Sequence, residues 1–513
     1  MFKVIFKSSR SLALELSNQE IFYASHPFDV YVDQKLALKQ VKTNVFSLYG
    51  LNPDQKYLVD VDGYKLEIHM DEESSVVDVK DFGALGDGIK DDTKAIQAAI
   101  LACPKDGRVF IPEGTYYVSP LFLKSYQTIE LSKGATLLGH RDRKEYPILP
   151  ARLTKSDGSV LELSSWEGNA APTFASIITG IEVTNVKIIG EGIIDENAQN
   201  SDWWIDHKIQ LGGAWRPKGV FLSHSKYIGM QGVTVTNTPS WNLHPYFSSY
   251  IDFIDMKLIS PKDSPNTDGC DPESCDHVRV IGVDFSVGDD CIAIKSGKYE
   301  MGMKYRKPTS DMTVRNCMMA YGHGGVVLGS EMSGGIKDLS VTQCYFKETD
   351  RGLRIKTRRG RGESAVIDGI TFENIYMKDV LTPLVMNMYY YCDDDGKTEY
   401  VYSKKELPVD QRTPYLGNFT FKNMVCENVH VAAGFFYGLP EQPIRSIKLE
   451  NIKFTYAKNP QEGIPAMMSY LDPMKAQGLQ FRYVNQVHLK NVSIEKVQEN
   501  MLVLENVNVF KEE

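Results

Sequence analysis

The chain has 513 residues, of which 42% are hydrophobic and 24% charged, a balance typical of a soluble globular protein of more than one domain. No apolar run approaches the ~20 residues of a membrane helix. The formal net charge of −9 argues against nucleic acid as a partner, and binding of a polyanion would need a local cluster of Arg and Lys.

Met1–Arg10 alternates like a strand and lacks the charged region, apolar core and small-residue cleavage site of a secretory signal, so a cytoplasmic location is expected. Short alternating strands continue to about residue 72, the clearest being Phe28–Val32 and Tyr57–Val61. Leu48-Tyr49-Gly50-Leu51, Pro53 and Tyr57 form a pattern that resembles the late strands of a fibronectin type III domain, which implies a small β-sandwich over residues 1–72. Tyr49 and Tyr57 read as core and corner residues. The acidic, serine-containing stretch Asp71–Ser75 reads as a linker.

The texture changes at Asp81-Phe82-Gly83-Ala84-Leu85-Gly86-Asp87-Gly88. An amphipathic helix from about Thr93 to Cys103 follows, with Asp91 or Asp92 as its N-cap. From there one theme repeats: a short apolar strand, an Asn or Gly turn, a second strand and a variable loop. Ile181–Ile188, Met312–Cys317, Leu339–Cys344, Ile370–Ile375, Phe419–Met424, Ile447–Ile452 and Val487–Val492 are copies. Strands this short bury a face only by stacking, so the pattern predicts an all-β solenoid, a right-handed parallel β-helix over residues 77–513. The recurring amide, at Asn185, Asn316, Gln343, Asn374, Asn423, Asn451 and Asn491, predicts a side-chain ladder from coil to coil. The helix near residue 95 would close the open end of the core. Insertions at about 141–170, 295–310 and 386–416 break the period and are expected to wall a cleft.

Eight cysteines are sparse for this length. Cys270 and Cys275 have no second pair at zinc-like spacing, so structural thiols are expected, with no metal and no cofactor.

Asp268 precedes Asp289 and Asp290 by about one coil, and stacked coils bring such residues to about 4.8 Å in the stacking direction. Three crowded carboxylates cannot all ionise easily. One keeps its proton and can act as general acid, and another can serve as general base. His323 lies between two glycines, which permit close backbone approach. About a coil later comes Arg351-Gly352-Leu353-Arg354-Ile355-Lys356, which on a strand sends Arg354 and Lys356 to one face and Ile355 to the other. Two adjacent cations fit a carboxylate clamp. A glycosidase acting on an acidic sugar needs this combination.

Asn266-Thr267-Asp268, Gly288-Asp289-Asp290-Cys291, Gly322-His323-Gly324 and Arg354-Ile355-Lys356, in this order, resemble glycoside hydrolase family 28, the polygalacturonases. Gly190–Asp195, Trp203-Trp204 and Thr238-Pro239-Ser240-Trp241 are similar as well, and the likeness spans roughly residues 77–513. The resemblance implies the pectin-lyase-like β-helix and hydrolysis of α-1,4-galacturonosidic bonds with inversion. It implies Asp289 as general acid, Asp268 and Asp290 as the pair that activates water, and His323 tuning that cluster. Asn266, Arg354 and Lys356 would bind the galacturonate at the cleavage point, with Arg351 and Glu331 as further substrate contacts.

Gly329-Ser330-Glu331-Met332-Ser333-Gly334-Gly335 is similar to the form in exo-acting bacterial relatives, some of which carry a fibronectin-like module. Exo action on oligogalacturonides, or on polygalacturonate, is therefore expected, with no nucleic-acid or membrane partner. The rivals are endo action, a rhamnogalacturonan or xylogalacturonan hydrolase, a calcium-dependent pectate lyase, and a noncatalytic β-helix that binds acidic glycans. Oligomeric state is not legible.

Overall fold

The computed structural model describes residues 1–495, Val497 and residues 499–513. Seven strands form the N-terminal β-sandwich: Phe2–Lys7, Leu12–Leu16, Tyr23–Val32, Lys35–Thr43, Val45–Leu48, Lys56–Val61 and Tyr64–His69. The first, second and fifth make one sheet, and the fourth, third, sixth and seventh the other, in those orders. Leu12, Leu14, Phe28, Val30, Phe46, Val59 and Val61 fill the space between them. Tyr57 Oη accepts the Asn52 amide at 2.9 Å, tying the turn before its own strand.

From Val76 onward the coil strands pair in parallel with the next coil, giving the right-handed β-helix, while short antiparallel pairs occur in the insertion between Ile148 and Phe174. Its inward positions stack in register. One row runs Val109, Ile129, Ile188, Met230, Phe253, Val280, Val314, Val341, Phe372, Phe421, Leu449 and Leu489. All of these are buried, so the stacking creates the core no single strand could.

The helix Thr93–Ala102 lays Ile96, Ala99 and Ile100 on the first coil. Asp91 Oδ1 accepts the Thr93 amide at 2.8 Å. Asp92 precedes the helix but turns its carboxylate back to the amides of Leu85 and Gly86, at 2.7 and 2.8 Å.

The amide ladder is present in part. Asn451 Nδ2 donates to Asn423 Oδ1 and Asn491 Nδ2 to Asn451 Oδ1, each at 3.0 Å. In the coils beside the sandwich the same position turns to the other domain. Asn316 donates to Glu15 and accepts from Asn44, Gln343 reaches the Glu20 carbonyl, and Asn374 donates to Gln19. All seven amides sit at φ between 50° and 55°, the left-handed region Asn tolerates.

Residues 71–75 are not a free linker. Glu73 is buried and paired with Arg10 at 3.0 Å and Arg108 at 2.9 Å, and Asp71 bridges Lys7 and Lys187. An apolar seam of Ile5, Phe6, Ala13 and Val45 against Ile189, Ile254 and Ile281 completes the contact between the domains. No helix among the described residues is long and apolar enough to cross a membrane.

Candidate active site

One column of strands carries the chemistry: Leu243–Tyr246, Ile292–Ile294, Val326–Gly329, Arg351–Lys356 and Thr382–Asn387. Leu243, Cys270, Ile292, Val326, Leu353 and Leu384 are in register and face the core. Asp268 and Asp290 each lie two residues before the residue of that row on neighbouring coils, and the Gly269 amide donates to the Asp290 carbonyl at 2.9 Å. Stacking thus brings Asp268, Asp289 and Asp290 together, with carboxylate oxygens within 4.8 Å of one another.

Their surroundings set them apart. Burial alone would raise Asp290, but Lys356 Nζ lies 2.9 Å from Oδ2 and Arg354 Nη1 3.3 Å from Oδ1, and these cations hold it at about 2. Asp268 is pushed well above the usual carboxylate range by burial and by the charges of Asp271 and Asp289. Asp289 is raised by burial and by its neighbour Asp290. The site therefore sets one carboxylate that ionises early beside two that hold their protons to higher pH. This acid cluster has the spacing of a cation site, yet Arg354 and Lys356 already supply the positive charge at Asp290.

Ile355 faces the core, while Arg354 and Lys356 share the outer face, as alternation requires. Both are engaged with Asp290, so a substrate carboxylate would share these cations with it. His323 is exposed, its Nδ1 lies 3.0 Å from Asp350, and that bond raises it above the usual imidazole value. Its glycine neighbours are needed: a Cβ on Gly322 would fall 2.6 Å from the Asp289 carbonyl, and one on Gly324 3.2 Å from the Asp290 carboxylate. Asn266 sits at φ 56° and accepts from Arg216. The Arg351 guanidinium is turned to the carbonyls of Ile464 and Pro465, at 2.7 and 3.2 Å. Glu331 is buried, with Lys295 Nζ at 3.5 Å. Burial would raise it, and Lys295, Lys356, Lys298 and Arg361 hold it below the usual range.

Several residues escaped the sequence reading. Lys295 bridges Glu331 and Asp271, the latter at 3.2 Å, and lies 4.8 Å from the centre of the Trp241 ring. Trp166 stacks between Trp215 and Trp241, at 5.0 and 5.4 Å. Lys295 ends the apolar run Ile292-Ala293-Ile294 as Lys356 follows Ile355, a parallel that could have flagged it. The partnership of Trp166 with Trp241, 75 positions apart, leaves no local pattern.

The three insertions meet at Lys298. Its Nζ lies 3.2 Å from Asp393 and 4.0 Å from Glu167, and its amide donates to the Gly168 carbonyl at 2.7 Å.

A parallel β-helix with an acid triad beside an Arg–Lys pair suits acid–base chemistry on an acidic ligand. Residues 134–433 match glycosyl hydrolases family 28. A probable polygalacturonase from Vitis vinifera is 32% identical over 380 residues, 72% of either chain. An exo-poly-alpha-D-galacturonosidase from Dickeya chrysanthemi is 27% identical over 64% of this chain and 59% of its own. In fold, the chain is similar to the family 28 exopolygalacturonase of Yersinia enterocolitica, with TM-score 0.73, 19% identity, and 100% of this chain and 98% of that one covered. The chain belongs to glycosyl hydrolases family 28 and is a glycoside hydrolase.

Proposed function

We propose that this protein hydrolyses α-1,4-galacturonosidic bonds of pectin-derived oligogalacturonides, with inversion and from a chain end. The divided protonation of the triad carries the hydrolytic reading. Asp289, raised by burial and Asp290, protonates the departing glycosidic oxygen. Asp290, held ionised by Lys356 and Arg354, takes a proton from the attacking water, which Asp268 orients by hydrogen bonding. Arg354, Lys356 and Asn266 hold the galacturonate, and His323, on Asp350, tunes Asp289.

Exo action is supported by the wall at Lys298, where residues from all three insertions close in beside Glu331. Inversion ordinarily goes with carboxyl groups about 6.5–9.5 Å apart. The tighter triad here leaves stereochemistry to the family resemblance, and the anomeric form of the first product decides it.

Residues 1–72 are read as a fibronectin type III-like domain and 77–513 as the catalytic domain. The sandwich strand order and the Tyr57 bond to Asn52 support the first assignment. A cytoplasmic location completes the proposal, in keeping with eight unpaired thiols.

The test is product analysis on polygalacturonate and saturated oligogalacturonides with EDTA present, read by chromatography and proton NMR. Monomer or dimer from the outset, unchanged by EDTA, is expected. A ladder of mid-sized fragments would make the enzyme endo-acting, an unsaturated product would make it a lyase, and no release would overturn the galacturonide reading.

A further inference from the structure

Arg216 is 3% exposed. Its Nη1 donates to the carbonyls of Pro239 and Pro265 at 2.6 and 2.9 Å, and its Nη2 to Asn266 Oδ1 at 2.6 Å and the His207 carbonyl at 3.3 Å. Its guanidinium carbon lies 5.3 Å from the centre of the Trp166 ring, itself clasped between Trp215 and Trp241. One side chain thus ties the insertion that carries Trp166 to the loop that carries Asn266 and Asp268.

A guanidinium has only donors, so the Asn266 atom facing it must be the carbonyl oxygen. The Asn266 amide group is then the end left for a ligand, and the residue offers two N–H bonds and no acceptor. Without that partner the amide could turn over and present oxygen to an acidic sugar, which would repel it. The left-handed backbone at Asn266, φ 56°, is held by the same guanidinium through the Pro265 carbonyl.

We propose that Arg216 is a positioning residue that fixes Asn266 as a hydrogen-bond donor to the sugar at the cleavage point. The inference rests on the galacturonide reading above. Arg216 acts through Asn266, so its substitution should matter only while Asn266 is present. The Trp166 ring, 5.3 Å from the guanidinium carbon, packs beside the arrangement.

The experiment is a double-mutant cycle with Arg216→Gln and Asn266→Gly, glycine being free at this φ, measured as KM and kcat on trigalacturonate with melting temperature alongside. Arg216→Gln alone should raise KM about tenfold with a smaller change in kcat, and in the Asn266→Gly background less than about twofold. Asn266→Asp keeps the contact to Arg216 but has no donor, and should raise KM at an unchanged melting temperature. Equal factors for Arg216→Gln in both backgrounds would overturn the inference while leaving the function intact. Should the glutamine variant not fold, Arg216→Lys enters the same cycle under the same criterion. A parent enzyme that cleaves no galacturonide would remove both the functional reading and this inference.

Discussion

Lys356 Nζ stands 2.9 Å from Asp290 Oδ2, and the two residues come from coils 66 positions apart. Arg354, two residues earlier on the same strand, takes the other oxygen at 3.3 Å. The register Val327 to Arg354 and Gly329 to Lys356 places both cations over the coil that follows Asp290. Gly324, between them, has no side chain to block the approach. On the proposed mechanism the pair has two duties, ionising the base and attracting an acidic substrate.

Lys356→Met separates those duties. Asp290 loses the cation that does most to offset its burial, so its ionisation moves up from about 2. The carboxylate works ionised, so the acid limb of kcat/KM should shift to higher pH. KM should rise as well, because the sugar carboxylate loses the same partner. A pH–rate profile with the limb unmoved would show that Lys356 serves the substrate alone.

Asp289→Asn removes the proposed acid with almost no change of shape. The Asn side chain keeps an oxygen to accept the Asp290 amide, which Asp289 Oδ1 accepts at 2.9 Å. Loss of a positioned general acid lowers kcat by about 10²–10⁴. Melting temperature should be unchanged, and binding of galacturonides, measured by calorimetry, should persist. In the parent, activity should fall as pH rises and Asp289, already raised, loses its proton. A noncatalytic glycan binder would show no parent activity to lose.

The coil theme was legible because each repeat states its own inward positions. Ile447, Leu449 and Ile452 alternate with Lys448 and Glu450, and only a stacked strand makes sense of that pattern. The triad was legible because one coil is about the spacing from Asp268 to Asp289. Partners fixed by three-dimensional folding of insertions were not legible. Lys298, Glu167 and Asp393 come from three separate insertions, and Arg216 reads Asn266 across 50 positions. The amide ladder was legible only at the C-terminal coils. Beside the sandwich the same residues have a better partner, such as the buried carboxylate of Glu15 at Asn316.

Asn451 tests the ladder. Its side chain joins Asn423 to Asn491 with two bonds of 3.0 Å, and its φ of 54° suits few residues. Asn451→Ala should cost about 1–2 kcal/mol in urea unfolding, from lost bonds and left-handed strain. Asn451→Gly loses the bonds but not the backbone freedom, so the order of stability should be Asn, Gly, Ala. Alanine equal to glycine would mean that φ contributes nothing here.

Asp255 makes stability depend on pH at the seam between the domains. It is half-buried, accepts Ser47 Oγ at 2.6 Å, and is raised from 3.8 to about 7 by burial, against the opposing effects of the Ser47 bond and Lys257. A raised carboxyl favours the folded state most when protonated. Its contribution is therefore complete below the unfolded value near 4, declines as pH rises, and levels off above about 7. The span is at most on the order of 4 kcal/mol, and water at the half-buried carboxylate reduces it. Asn at this position keeps an acceptor for Ser47 and never ionises. Asp255→Asn should therefore match the parent in melting temperature near pH 4 and exceed it increasingly up to pH 8. A gap that is the same at both ends would mean that Asp255 keeps one protonation state throughout, and that the seam is held by Ile5, Phe6 and Val45 without a pH-dependent part.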